Sequence, residues 1–253
     1  MQTLIGKRVL ITGAAVRVGQ AVATAFAQEG ATVIIHYRRS QRHARDLRDQ
    51  LIDTTGRKHF MVQADLVDSR DRAHLIHQAA DKGGGLDCLI NNASVYRRSY
   101  LKDVEEDDLR RDYEINFVAP FMLMRDFRLS VGSGSIINIL DQRVTGVDPA
   151  SGTYGCAKKS LRDVTEAAAV EWAPAIRVNG VAPGVVLPPP GVDEEKMEPL
   201  IERIPMKRKT DSDEIAAACI FLAAAETVTG TVLYVDGGLH LKSDILGEKA
   251  PES

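Results

Sequence analysis

The sequence predicts a doubly wound α/β fold: a single domain on a seven-stranded parallel sheet flanked by helices. Three observations carry that expectation. Short apolar runs rich in β-branched residues alternate with helix-length segments along the chain. The runs are apolar at consecutive positions, as in strands covered on both faces. No linker, internal repeat or low-complexity tract interrupts the alternation over 253 residues, and strand–helix–strand order implies parallel strands joined by right-handed crossovers.

In chain order, strands are expected at 8–13 (RVLITG), 32–37 (TVIIHY), 59–66 (HFMVQADL), 86–93 (LDCLINNA), 135–141 (SIINILD), 176–184 (IRVNGVAPG) and 231–238 (TVLYVDGG). Helical patterns lie between them at 17–29, 40–54, 69–81, 105–129, 153–173 and 211–224. Two segments depart from the alternation. Residues 185–205, VVLPPPGVDEEKMEPLIERIP, contain three consecutive prolines and follow a strand directly. A connection that long inside one domain is expected to act as a lid over a site. The tail, 240–253, is polar and expected to fray.

Bulk composition narrows the function. A hydrophobic content of 44% and a charged content of 26% are those of a soluble globular protein. A net charge of −3 gives no support to a nucleic-acid or membrane-surface partner. Cys88, Cys156 and Cys219 stand alone, without CxxC spacing, and are expected as small core residues in a reducing compartment. His74 and His77 lie three apart with no acidic or thiolate partner in view, so they are expected on a solvent face and no metal site is expected. The first residues show no signal-peptide pattern, and no apolar run approaches the roughly 20 residues of a membrane span. A cytoplasmic location is expected.

The turn ITGAAVRVG, between the first strand and first helix, is suited to phosphate. Gly13 permits a tight turn, Gly19 lets the helix pack close to the sheet, and N–H groups at the helix start face an anion. Arg17 stands where a third glycine would be unsurprising; a cation there opposes the helix dipole unless a phosphate or a polar substrate edge answers it. The second strand ends HYRRS, and the first carboxylate after it is Asp46, well into the next helix. Arg38, Arg39 and Ser40 therefore suit a 2′-phosphate, and the missing acid points to NADPH. Asp65 and Leu66 are placed to frame an adenine, and Asn91 to hold the neighbouring backbone, at the strand ends where such sheets bind ligands.

Tyr154 and Lys158 are one helical turn apart, so they project from one face, and an ammonium there is expected to lower the phenol's pKa. With the phosphate-binding turn, NNA at 91–93, Asn116 in INFVAP and the terminal VDGG, the chain resembles the short-chain dehydrogenase/reductase family over about residues 6–239. That resemblance implies a Rossmann-type fold and a nicotinamide-dependent oxidoreductase. It implies Tyr154 as proton donor, Lys158 as the residue that binds ribose and tunes it, and Asn116 as organiser of a proton-relay water. Val18, His36, Tyr37, Ala93, Pro183 and Gly184 join the expected cofactor set. A homotetramer is also implied, with mild support from the all-round apolar stretch EAAAVEW at 166–172.

The family typically carries a carbonyl-polarising serine thirteen residues before the tyrosine; here that position is Asp141. A carboxylate repels a developing oxyanion. As a protonated acid, or paired with the tyrosine, it suits a ring nitrogen, so C=N reduction is expected over C=O. The alternative is a structural aspartate capping the turn after the strand. Within the family, Arg17, HYRRS, Ser94, Tyr96 and the Asp141–Tyr154–Lys158 set are similar to the pteridine reductases. This implies a pterin-like substrate, with Ser94 and Arg17 at its polar edge or the cofactor phosphates, and Tyr96 stacked on its ring. The choice among biopterin, monapterin and folate-type substrates stays open. The rival readings are a generic ketoreductase, including the acyl-carrier type, and a non-catalytic NADPH-binding regulator.

Overall fold

A computed structural model describes residues 3–187 and 197–242. The apolar runs condense into seven strands: β1 (Arg8–Ile11), β2 (Thr32–Tyr37), β3 (Phe60–Gln63), β4 (Cys88–Asn91), β5 (Gly134–Ile139), β6 (Ile176–Pro183) and β7 (Val232–Val235). All pair in parallel, in the order β3-β2-β1-β4-β5-β6-β7. The chain leaves β1 outward in one direction and crosses to β4 in the other, so the sheet changes direction between these two strands. Ligands of such sheets bind at the carboxyl ends of the strands around that point. Most strands stop short of their expected C-terminal ends. The residues left over (Thr12–Gly13, Ala64–Leu66, Asn92–Ala93 and Leu140–Asp141) turn out of the ladder into the loops that build the site.

Alternate residues of each strand feed two cores. Val9, Ile11, Val33 and Ile35 pack with Val22 and Phe26 of α1 (Arg17–Gln28), Leu47 and Leu51 of α2 (Gln41–Thr55), and Ile215 and Leu222 of α8 (Ser212–Ala224). Leu10, Ile34, Leu89 and Ile136 face α3 (Ser69–Gly83), α5 (Ala119–Ser130) and α6 (Gly152–Trp172) through Leu75, Phe127 and Ala168. Two apolar faces on each strand are why the sequence shows runs where a one-sided sheet would show alternation.

The helix expected over 105–129 is instead two, α4 (Glu106–Tyr113) and α5, joined by a π-turn at Glu114–Val118. Pro120 has no N–H to return to the carbonyl of Asn116, four residues earlier, so a regular α-ladder cannot pass this point. The expected lid lies partly in the described chain: residues 197–205 contain the short α7 (Glu198–Ile201), whereas 188–196 lie outside the described residues, as do 243–253 of the tail. Cys88 and Cys219 are buried, but Cys156 is exposed on α6 because its position points away from the sheet. His77 does have an acidic partner, Asp81 one turn later at 3.0 Å, on an exposed helix face. No described helix is long and apolar enough to cross a membrane.

Candidate active site

At the end of β1, Gly13 adopts φ 63°, and a Cβ built on Gly19 would lie 2.3 Å from the Gly13 carbonyl oxygen and 2.7 Å from Asn92 Nδ2. Only glycine permits this close approach of helix to turn. Arg17 itself takes φ 57°, a left-handed conformation that strains a side-chain-bearing residue by about 1 kcal/mol or more. Two polar residues without a role in the sequence reading fasten the turn to β4. Thr12 Oγ1 accepts from the N–H groups of Asn92 (2.9 Å) and Ala93 (3.0 Å), and Asn92 Nδ2 donates to the Thr12 carbonyl at 2.8 Å.

His36 fastens it to β2. Its Nδ1 accepts from the Gly13 N–H at 3.0 Å, which leaves Nε2 as the donor to the Ala64 carbonyl at 3.1 Å. Burial pushes the imidazole down to about 4, partly opposed by that backbone bond and by Asp65. With both ring nitrogens committed, His36 acts through Gly13 and not by direct contact with a cofactor, contrary to expectation. Tyr37 and Leu66 likewise place their side chains in the core, so only their backbones are available to a ligand.

Arg38 and Arg39 are exposed beyond β2, and Ser40 caps α2 with its carbonyl, not its hydroxyl. The carboxylate nearest this basic pair comes from the end of β3: Asp65 lies 3.9 Å from Arg38. Asn91 is buried, donating to Asn138 Oδ1 at 2.8 Å, while its own Oδ1 has no hydrogen-bond partner among the described residues. Pro183 closes β6, and at Gly184 a Cβ would approach Asp236 Cα to 2.8 Å. Val18 is half-buried at the start of α1.

The chemistry end assembles where β5 meets α6. Lys158 is buried and donates from Nζ to the Ile139 carbonyl at 2.7 Å. Tyr154 is also buried, and its hydroxyl donates to Asp141 Oδ2 at 2.9 Å. Of the two forms open to Asp141, protonated acid or partner of the tyrosine, the geometry has the second. The same carboxylate also caps the turn Gln142–Val144, accepting from the Arg143 N–H at 2.8 Å, as the structural alternative for Asp141 expected. The expected lowering of the phenol is reversed. Burial, then Asp141, raises Tyr154 well above 10.0, because the carboxylate touches the hydroxyl while the Lys158 ammonium stands 5.9 Å from the ring. Lys158 itself is pushed down to about 8 by burial, against the pull of Asp141. Tyr154 therefore stands as a phenol at neutral pH.

The loop after β4 covers this centre. Ser94 Oγ donates to Asn116 Oδ1 at 2.6 Å, and Asn116 Nδ2 donates to the carbonyls of Val95 and Asp112, each at 3.0 Å. Asn116 thus pins the loop from inside the π-turn, and the Ser94 hydroxyl is spent on Asn116. Tyr96 packs edge-on to Tyr154, with ring centroids 4.9 Å apart. Arg143, which the sequence reading did not single out, lies 5.3 Å over the Tyr96 ring and is ion-paired with both Asp141 and Asp148. Nothing in its local pattern, DQRVTG, distinguishes it from a surface arginine.

A family model described as enoyl-(acyl carrier protein) reductase matches residues 13–240. The chain belongs to the short-chain dehydrogenase/reductase family. Among curated relatives of this family, glucose 1-dehydrogenase from Gluconobacter oxydans is 33% identical over 251 residues, covering 94% of each chain. Among solved family members, the FolM alternative dihydrofolate reductase 1 from Brucella canis, complexed with NADP, superposes with a TM-score of 0.89 at 30% identity, covering 96% of this chain and 98% of that one. A gluconate 5-dehydrogenase from Burkholderia cenocepacia, complexed with NADP and tartrate, gives 0.86 at 29% identity, covering 94% and 96%. The Tyr154–Lys158 pair and the Gly13 turn thus belong to an oxidoreductase.

Proposed function

We propose that this protein is an NADPH-dependent reductase of pterin-type substrates, taking a dihydropterin to the tetrahydro form, with oxidised pterin or dihydrofolate as further substrates of the same chemistry. The observation that carries this reading is the Tyr154 hydroxyl seated on the Asp141 carboxylate, where a carbonyl reductase of this family would present a hydroxyl to its substrate. The glycine cradle at Gly13 and Gly19 suits a pyrophosphate, and the exposed Arg38 and Arg39 suit a 2′-phosphate. The relatives crystallised with NADP support the same cofactor.

NADPH, when bound, supplies the hydride that reaches the ring carbon of the C=N bond. The electron pair of that bond moves to the nitrogen, and the buried Tyr154 phenol gives the nitrogen its proton. Lys158 then faces a tyrosinate whose charge it offsets until the proton is replaced from solvent. Asn116 keeps the Ser94–Tyr96 loop over the ring, and its carbonyl, deprived by Pro120 of an α-helical donor, suits a relay water. Tyr96 offers an aromatic wall and Arg17 a cation at the substrate or phosphate edge. Leu129, Val170 and Phe121 leave apolar surface on α5 and α6, which supports assembly as a homotetramer through these helices.

The test is NADPH oxidation against a substrate panel. Dihydropterin or dihydrofolate should be consumed, while glucose, gluconate-type ketones and a β-ketoacyl thioester should not. Turnover confined to ketones would replace this reading with a ketoreductase, and cofactor binding without turnover on any member with a regulator.

A further inference from the structure

We propose that Arg143 is a positioning residue of the reaction centre: it holds Asp141 as the acceptor of the Tyr154 hydroxyl and locks that pair to the start of α6. The proposal rests on the Asp141–Tyr154 pair of the proposed function but not on the identity of the substrate. Asp141 Oδ1 accepts from the Arg143 N–H at 2.8 Å and from Arg143 Nη1 at 3.3 Å. Asp141 Oδ2 accepts from Arg143 Nη1 at 3.1 Å and from Tyr154 at 2.9 Å. A carboxylate offers about four lone-pair positions. Three donor groups, with Nη1 shared between the two oxygens, thus hold both ends of this carboxylate.

The other edge of the guanidinium reaches the helix that carries the tyrosine. Arg143 Nε donates to Asp148 Oδ2 at 2.7 Å. Asp148 in turn accepts the Ala150 N–H on Oδ1 at 3.0 Å and the Ser151 hydroxyl on its carbonyl at 2.8 Å, immediately before α6 begins at Gly152. One planar, fixed-charge fork therefore sets the end of β5 against the first turn of α6, a task for which a point-charged ammonium is less suited. The side chains of Arg143, Asp141 and Asp148 are 23%, 13% and 12% exposed, so these ion pairs are shielded from water. Arg143 lies between the two carboxylates Asp141 and Asp148, and Lys158 adds a further cation beside Asp141. Tyr154 comes from α6, Tyr96 and Arg98 come from the loop after β4, and the Asp236–His240 pair lies on the C-terminal turn that meets Thr145 through the His240 carbonyl. Removing the guanidinium would take away the cation that stands between Asp141 and Asp148, a change that favours a proton on the pair.

The experiment is Arg143→Met and Arg143→Lys, each in the wild-type and Asp141→Asn backgrounds, assayed across pH with NADPH and whichever substrate the panel identifies. Arg143→Met should lower kcat about tenfold or more, as for one charge-assisted bond, with the KM for NADPH little changed. It should also add an acid-side ionisation to the pH–rate profile relative to the wild type. In the Asp141→Asn background the same substitution should matter by no more than about twofold. Arg143→Lys, which keeps the cation, should show lower turnover without the new ionisation. An equal loss at every pH, undiminished in the Asp141→Asn background, would overturn the proposal and leave Arg143 a packing residue. So would a new ionisation in the lysine variant. A second measurement needs no substrate: the Asp141 carboxyl carbon signal, assigned by its loss in Asp141→Asn, should gain the matching acid-side titration step in Arg143→Met only. That step with no turnover on any pterin would sink the substrate reading and keep this one; its absence would sink this one alone.

Discussion

The two ends of the candidate site are built by opposite means. At the phosphate end the buried polar groups are neutral: Thr12, Asn92 and an imidazole pushed down to about 4 all serve the backbone of one glycine turn, while Arg38 and Arg39 stay in solvent. At the reaction end the charges themselves are buried or nearly so: the Tyr154 hydroxyl meets Asp141, Arg143 pairs Asp141 with Asp148, and Lys158 lies beneath the Tyr154 ring. A site for a permanent anion needs fixed N–H groups, and neutral clamps supply rigidity without competing charge. A centre that moves a proton needs ionisable groups whose affinities are set by burial and by one another.

Substitutions separate the two ends. The largest effect is expected from Tyr154→Phe, which removes the proton donor and leaves Asp141 without one of its hydrogen bonds. Turnover should fall by about 10²–10⁴-fold while NADPH binding, followed by fluorescence, is retained. Loss of cofactor affinity in equal measure would mean that the two ends are not separable.

His36 sharpens the contrast through stability. Its imidazole is pushed from 6.5 to about 4 in the folded protein, so between these values the unfolded chain binds more protons than the folded one. Stability is then fully present above the unfolded value and declines as pH falls from 6.5 towards 4, by about 3 kcal/mol in all at ~1.4 kcal/mol per unit. His36→Asn, which offers an amide acceptor and donor in place of the ring nitrogens, should remove this component. Denaturant unfolding at several pH values would show it as a shallower acid slope, and an unchanged slope would take His36 out of the account.

The smallest effect is expected at the solvent-exposed edge. Arg39→Ala should weaken NADPH by about 1.5–3 kcal/mol while leaving NADH nearly untouched, as for one lost charge-assisted bond. Equal weakening of both cofactors would sink the assignment of Arg39 to the 2′-phosphate.

Much of this was legible from residue order because it depends on neighbours in the chain. β-Branched runs between helical patterns marked all seven strands; Gly13 and Gly19 marked the turn; and the four-residue spacing put Tyr154 and Lys158 on one face. The carboxylate at Asp141 was visible too, as was the basic end of β2. What the sequence by itself determined, then, is the sheet, the place of the glycine turn and the pairing of Tyr154 with Lys158 on one helix face, since local sterics and periodicity act over a few residues. Tertiary structure alone decided the partners. His36 became a clamp because Gly13, 23 residues away, and Ala64, 28 away, meet on its ring. The π-turn places the Asn116 carboxamide against a loop 21 residues earlier in the chain. The phenol of Tyr154 is raised and not lowered because the hydroxyl meets Asp141 before it meets Lys158, and Arg143 stands between two carboxylates and an aromatic ring. Electrostatic affinities are sums over groups brought close by folding, and no spacing along the chain records those distances.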